Sequence, residues 1–335
     1  MKILVTGGCG FIGSNFIRSL LARRPDVSIV NLDALTYAGN PANLASVADH
    51  PRYTFVRGDI TDAALLDRLF TEHAFDAVVN YAAETHVDRS ILDPEVFLRT
   101  NVMGTHRLLE AVRKFGTNKF VQISTDEVYG EVAEGEAAED HPFAPRSPYS
   151  ASKAAADHLC RAYAETYGLP VIVTHGANMY GTHHYPEKVI PLFLTNLMEG
   201  KKVPLYGEGA QIREWLHIED HARAIELILE KGHPGHVYNI GTGERFSNLE
   251  LTRHILSVMG KGEEHIERVK DRAGHDSRYA LNANKLRQEL GWAPQIRFVD
   301  GLRQTAQWYK DNEAWWKPIK SGAYLSYYKA QYQDR

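Results

Sequence analysis

The opening stretch KILVTGGCGFIG restricts the fold more than any other part of the chain. Five residues of strand-forming character run straight into Gly7, Gly10 and Gly13, spaced by three, and a helical stretch follows. Strand, tight glycine turn and helix start together let a backbone close on a pyrophosphate. The phosphate charge is then met by N–H groups of the first helical turn. Asp33 ends the next strand-like run, 20 residues past Gly13. A carboxylate at that offset suits the hydroxyls of an adenosine ribose and repels a 2′-phosphate, so NAD is expected rather than NADP. Asp59 and Ile60, after the third such run, are placed to meet the adenine; capping a helix near Thr61 is the competing use of Asp59.

The alternation continues through the N-terminal half. Strands are expected at Lys2–Thr6, Ser28–Leu32, Tyr53–Arg57, Ala77–Asn80, Phe120–Ser124 and Val171–Thr174. Amphipathic stretches near 11–23, 62–72, 95–114 and 149–167 separate them. Strands separated by helix-length segments imply βαβ crossovers and a mostly parallel, doubly wound α/β sheet of Rossmann type. The rest is broken by Gly and Pro at 204–209, 232–235 and 241–243. A smaller mixed α/β substrate domain is expected there, at 176–335, after an NAD-binding domain at 1–175, with a return to the first domain around 215–240.

Length and charge exclude several classes. With 335 residues the chain can bury a sizeable core. Its 38 basic against 42 acidic residues give a net charge of −4, which leaves no footprint for nucleic acid. No apolar run is long enough to span a bilayer, and MKILVTGG reads as a strand rather than a leader. Two cysteines, Cys9 and Cys160, exclude a disulfide framework and fit a reducing cytoplasm. The pairs His183-His184 and His217/His221 lack the further ligands a metal needs, so no metal is expected.

The chemistry is concentrated at Thr125-Asp126-Glu127 and Tyr149-x-x-x-Lys153. Tyr149 and Lys153 are four apart and share a helix face, behind Pro148 in the first turn. An ammonium beside a phenol favours the phenolate, which lowers its pKa and makes a base near neutral pH. The same lysine can hold the nicotinamide ribose. Thr125 follows the strand ending at Ser124, the end at which open α/β sheets bind ligands. Asp126 and Glu127 would face opposite ways on a continuing strand, so the chain must turn for both to reach one sugar, and Gly130 permits that.

LTYAGN (35–40), AAETHVDRSI (82–91), STDEVYG (124–130), YSASKAAAD (149–157), PEKVIPL (186–192), QIREWLHIEDHARA (211–224), YNIG (238–241) and AGHDSRYALN (273–282) span nearly the whole chain. Through them the chain resembles the dTDP-glucose 4,6-dehydratase family of the extended short-chain dehydrogenase/reductase superfamily. The resemblance implies an NAD-dependent hydro-lyase. Tyr149 takes the sugar O4 proton as hydride leaves C4, with Thr125 bonded to O4. Glu127 takes the C5 proton, Asp126 protonates the leaving C6 hydroxyl, and the hydride returns to C6. One carboxylate must start ionised and the other protonated, which two close acids in a dry pocket achieve.

The resemblance also assigns cofactor contacts to Gly7, Gly10, Phe11, Ile12, Gly13, Asp33, Thr36, Asp59, Ile60, Ala83, Thr100, Tyr149 and Lys153. It assigns nucleotide-sugar contacts to Thr85, Thr125, Asn178, Lys188, Pro204, Tyr206, Arg213, Asn248, Arg272 and His275. Lys188, Arg213 and Arg272 suit a pyrophosphate, and Tyr206 suits stacking on the base. A homodimer through helices near 95–114 and 149–167 is implied as well. Positions 175–188 read HGANMYGTHHYPEK, where the resembling enzymes read close to CSNNYGPYxFPEK from position 176. Ala177, Met179, Thr182 and His183 therefore depart, and a UDP-sugar or other nucleoside-diphospho-hexose stays open as substrate. A 4-epimerase or decarboxylase, and a non-catalytic NAD-sensing scaffold, are the competing readings.

Overall fold

The computed structural model describes residues 1–271, 276–321 and Tyr324. The chain builds its main sheet first, with strands β1 (Lys2–Thr6), β2 (Ser28–Asp33), β3 (Tyr53–Arg57), β4 (Ala77–Asn80), β5 (Phe120–Thr125) and β6 (Val171–Gly176). Helices α1 (Phe11–Arg23) and α2 (Ala63–Glu72) cross between the early strands. The short α3 (Val87–Leu92) and α4 (Pro94–Phe97) lead through a π-helical stretch, Leu98–Gly104, into α5 (Thr105–Phe115). Gly104 carries no side chain because a Cβ there would stand 2.3 Å from Ile60 Cδ1, a residue of the cavity wall. α6 (Pro148–Tyr167) then precedes β6.

Beyond β6 the chain leaves the sheet. β7 (Asn178–Tyr180), α7 (Val189–Met198), β8 (Val203–Tyr206) and β9 (Ile212–His217) follow, and then α8 (Ile218–Lys231) packs against α1. β10 (Val237–Ile240) joins β6 in parallel and completes seven strands in the order β10-β6-β5-β4-β1-β2-β3. Every pairing in that sheet is parallel. The chain winds outward from β1 in one direction and from β4 in the other, so a crevice opens at their carboxyl ends, where such sheets bind ligands. β4, β5 and β6 are buried on both faces, as a parallel sheet covered by helices requires. β3 closes the edge and exposes Phe55.

The remainder forms smaller layers: β11 (Arg245–Ser247), α9 (Asn248–Met259), β12 (Ile266–Val269), α10 (Asn284–Leu290), α11 (Phe298–Asp311) and α12 (Glu313–Ile319). β11-β9-β7 make a three-stranded sheet and β12-β8 a parallel pair. Two buried clusters lie on the faces of the large sheet, around Phe16 and Val79 and around Leu108 and Phe120. A third, around Phe193, Phe298 and Trp316, joins α7, α9, α11 and α12. Each fully buried aromatic or branched side chain contributes about 1.5–3 kcal/mol. Among the described residues, no helix is long and apolar enough to cross a membrane.

Candidate active site

A cavity of about 420 Å³ opens over the carboxyl ends of β1, β4 and β5, a volume in the roughly 300–1,000 Å³ range of small-molecule sites. One end is the glycine turn. Gly7 sits at φ 67, and a Cβ there would meet Ala82 N at 2.6 Å. A Cβ on Gly13 would meet Gly7 O at 2.5 Å. No side chain caps α1 at Gly10, so its first-turn N–H groups are available to an anion. Asp33 accepts from Cys9 N and Leu35 N, both at 2.8 Å, which aims its carboxylate along the turn. These glycines, the uncapped helix and the acid together fit a dinucleotide. Asp59 accepts from Thr61 N and Oγ1, while Asp62 is the residue that caps α2.

The other wall carries the acids. β5 stops at Thr125, whose Oγ1 accepts from Glu127 N and caps a 3₁₀ turn over Asp126–Tyr129. The turn ends at Gly130, φ 70, against Ala144 O. Thr125 Oγ1 also donates to Asp126 Oδ1 at 3.1 Å, and Asp126 Oδ2 is buried without a hydrogen-bond partner. Burial, then the charge of Glu127, push Asp126 from 3.8 up to about 8, with Arg213 opposing. An acid so placed carries a proton at neutral pH, and Glu127 beside it lines the cavity.

α6 starts with a capping box between Ser147 and Ser150 and Pro148 in its first turn, a cap worth about 1 kcal/mol. Tyr149 faces the cavity, and Lys153, one turn on, is buried behind it with Nζ donating to Ile123 O at 2.6 Å. The expected lowering of Tyr149 is not what this geometry produces. Burial and the charges of Glu127 and Asp126 push the phenol well above its ordinary value, and only the Thr125 hydrogen bond works the other way. Burial likewise pushes Lys153 down. Desolvation and the nearby acids set the direction here, so making a tyrosinate needs positive charge brought into the cavity.

Gly7, Gly10, Phe11, Ile12, Gly13, Asp33, Thr36, Asp59, Ile60, Ala83 and Thr100 line the cavity on the glycine side. Thr85, Thr125, Asn178, Lys188, Pro204, Tyr206, Arg213 and Asn248 line it on the other. Asp126 and Lys153 stand just behind the wall, and Arg272 and His275 lie outside the described residues. Lys188 Nζ donates to Thr85 O at 2.9 Å. Arg213 donates to Ile212 O and Asp276 O and lies 4.1 Å over the Tyr279 ring.

Sequence reasoning missed a charged bridge at the cavity wall, which Tyr37 and Glu187 line. Arg89 pairs with buried Glu187 at 3.1 Å and lies 4.0 Å over the Tyr37 ring, tying three distant segments together. Burial holds Glu84 up at about 6, with Arg89 opposing. Both charged partners of the bridge fall inside motifs already quoted, AAETHVDRSI and PEKVIPL; a charged residue within such a motif was the available signal. The four departures divide. Ala177 and Met179 line the cavity, but Thr182 and His183 turn outward. Asn15 donates to Thr182 O at 3.0 Å, Arg18 meets the His183 ring at 3.0 Å, and Trp308 packs on that ring at 4.3 Å. His217 accepts from Glu219 N and so caps α8.

A family model described as GDP-mannose 4,6 dehydratase matches residues 4–305. A dTDP-glucose 4,6-dehydratase of Streptomyces niveus is 53% identical over 325 residues, covering 96% of each chain. The dTDP-glucose 4,6-dehydratase 1 of Escherichia coli K12 is 46% identical across 100% of both chains. The dTDP-glucose 4,6-dehydratase DesIV of Streptomyces venezuelae, solved with NAD bound, superposes with a TM-score of 0.93 at 51% identity, over 96% of this chain and 100% of that one. A UDP-glucose 4-epimerase of Thermotoga maritima, at 30% identity, still reaches 0.87 over 93% of this chain and 100% of that one, so the fold alone does not choose the reaction. On sequence, fold and site together, the chain belongs to the dTDP-glucose 4,6-dehydratase family, within the group that the GDP-mannose 4,6 dehydratase model describes.

Proposed function

We propose that this chain is an NAD-dependent hydro-lyase that converts dTDP-glucose to dTDP-4-keto-6-deoxy-glucose. One observation carries the reading: the turn after Thr125 sets a buried acid, Asp126, its pKa raised to about 8, beside Glu127 and near Tyr149. An epimerase or simple dehydrogenase needs only the tyrosine and lysine; an elimination needs an acid and a base as well. When bound, NAD supplies the hydride acceptor and donor, held by the glycine turn, Asp33 and Lys153. Thr125 orients the sugar O4, and Tyr149 takes its proton. The ketone formed at C4 acidifies C5, whose proton goes to Glu127. Asp126 gives its proton to the C6 hydroxyl, and water leaves. Lys188 and Arg213 bind the diphosphate, and Tyr206 stacks on the base.

The division of labour follows the cavity. Residues 1–175, with the return at 215–240, chiefly hold the cofactor; 176–335, with Thr85 and Thr125 from the first domain, hold the nucleotide sugar, Arg272 and His275 in that set. A homodimer through the helices near 95–114 and 149–167 is supported by apolar side chains exposed there: Leu98 (53%), Met103 (46%) and Tyr167 (51%). Two buried free thiols, Cys9 and Cys160, support a cytoplasmic location.

The test is incubation of purified protein with dTDP-glucose and, separately, UDP-glucose. The alkali-sensitive 4-keto-6-deoxy chromophore is expected from dTDP-glucose. Its formation from UDP-glucose alone would move the specificity, with Ala177 and Met179 as the residues to revert. Its absence with every nucleoside-diphospho-hexose would overturn the reaction.

A further inference from the structure

Lys153 is not the only buried charge on its face of α6. Tyr149, Lys153 and Asp157 recur every four residues and are 8%, 4% and 4% exposed. Asp157 is not part of the cavity wall. Its Oδ2 accepts from Ser124 Oγ at 2.6 Å, next to Thr125 on β5, and stands 3.2 Å from Nε2 of His175 on β6. The Nδ1 of His175 lies 2.7 Å from the Tyr129 hydroxyl, in the turn that carries Asp126 and Glu127. The other oxygen, Oδ1, is buried without a hydrogen-bond partner.

A neutral amide would satisfy Ser124 and His175 equally well. A carboxylate with one oxygen left over is costly in the interior unless a cation offsets it. The groups that face Asp157 are Ser124 from β5, Tyr129 from the turn after it, His175 from β6 and, on α6 itself, Tyr149, Lys153 and Cys160. Lys153 is the one lysine or arginine among them. Its Nζ donates to Ile123 O, one residue before Ser124, so the two charges are fastened to the same strand.

We propose that Asp157 is a positioning residue for C4 oxidation: its carboxylate keeps the buried Lys153 ammonium charged and, through Ser124, ties it to the strand that ends at Thr125. This rests on the reading of Tyr149 and Lys153 as the proton-transfer pair. Burial pushes Lys153 down and the charge of Asp157 pushes it back up. Asp157→Asn therefore makes Lys153 lose its proton at lower pH. Asp157 also disfavours the tyrosinate of Tyr149, so the substitution lowers or leaves the acid limb. Removing that charge also eases ionisation of Cys160 and Tyr129, but neither lines the cavity, so the alkaline limb is assigned to the lysine.

The step to read is C4 oxidation, as NADH absorbance after rapid mixing with dTDP-glucose. An Asp126→Asn background removes the titration of that acid. Adding Asp157→Asn should bring the alkaline limb down by about one pH unit or more, and Asp157→Glu should restore it. An unmoved alkaline limb in NAD-loaded protein overturns the proposal. Should Asp157→Asn not fold alone, Lys153→Met/Asp157→Asn decides the matter, since removing both charges costs less than stranding one. The pairing requires the double variant to melt above Lys153→Met; a double variant melting no higher overturns it. No NADH signal at any pH would instead refute the functional reading, and the melting comparison would still judge the pairing.

Discussion

Replacing Asp126 by Asn should stabilise the protein while disabling it. Asp126 is 3% exposed and its pKa is raised from 3.8 to about 8 by burial and by Glu127. Between those values the unfolded chain has released a proton that the folded chain keeps. Stability from this group is therefore fully present below 3.8 and lost as pH rises through about 8, at about 1.4 kcal/mol per unit. At pH 7, about three units above 3.8, the accumulated loss is about 4 kcal/mol. Asn has the same shape and no such loss. Urea unfolding of both proteins at several pH values from 5 to 7 should show the variant's advantage growing by about 1.4 kcal/mol per unit. Elimination should fall in the variant while C4 oxidation persists. A constant difference across that range, or a wild type that gains on the variant as pH rises, would show that Asp126 is not held protonated.

Three other outcomes follow from the same geometry. Glu127→Gln should abolish C5 exchange with solvent deuterium, followed by NMR, while some C4 oxidation persists; rapid exchange would remove Glu127 as the base. Gly13→Ala places a methyl 2.5 Å from Gly7 O and 2.8 Å from Gly8 Cα. It should cost about 1–3 kcal/mol in melting experiments and leave the purified protein without bound NAD. Leu98→Glu/Met103→Glu should convert a dimer to a monomer by light scattering, and an unchanged mass would place the interface elsewhere.

The large sheet was legible because short β-branched runs alternate with helix-length segments. β5 and β6 extend to Thr125 and Gly176, past the expected Ser124 and Thr174. The need for a turn at Asp126 followed from strand geometry; that Thr125 itself caps the turn did not, because a cap depends on where the chain goes next. Tyr149 failed in direction for a non-local reason. The lysine four residues away is visible in the sequence, but burial and the charges of Glu127 and Asp126 come from packing across β5. The Arg89–Glu187–Tyr37 bridge joins positions far apart in sequence, so no spacing rule reaches it. The segment at 177–183 looked like one specificity patch. Backbone at Gly181 (φ 151) and His183 (φ 63) swings its second half outward onto α1, so two of the four departures lie off the cavity wall.

The central claim is that hydride removed from C4 returns within the same active site to C6. dTDP-glucose deuterated at C4, incubated with NAD-loaded protein in ordinary water, tests it directly. The account predicts dTDP-4-keto-6-deoxy-glucose with deuterium at C6, one solvent proton at C5 and no net change in NAD. A product that retains its C6 oxygen, or one whose C6 hydrogen comes from solvent, would contradict it.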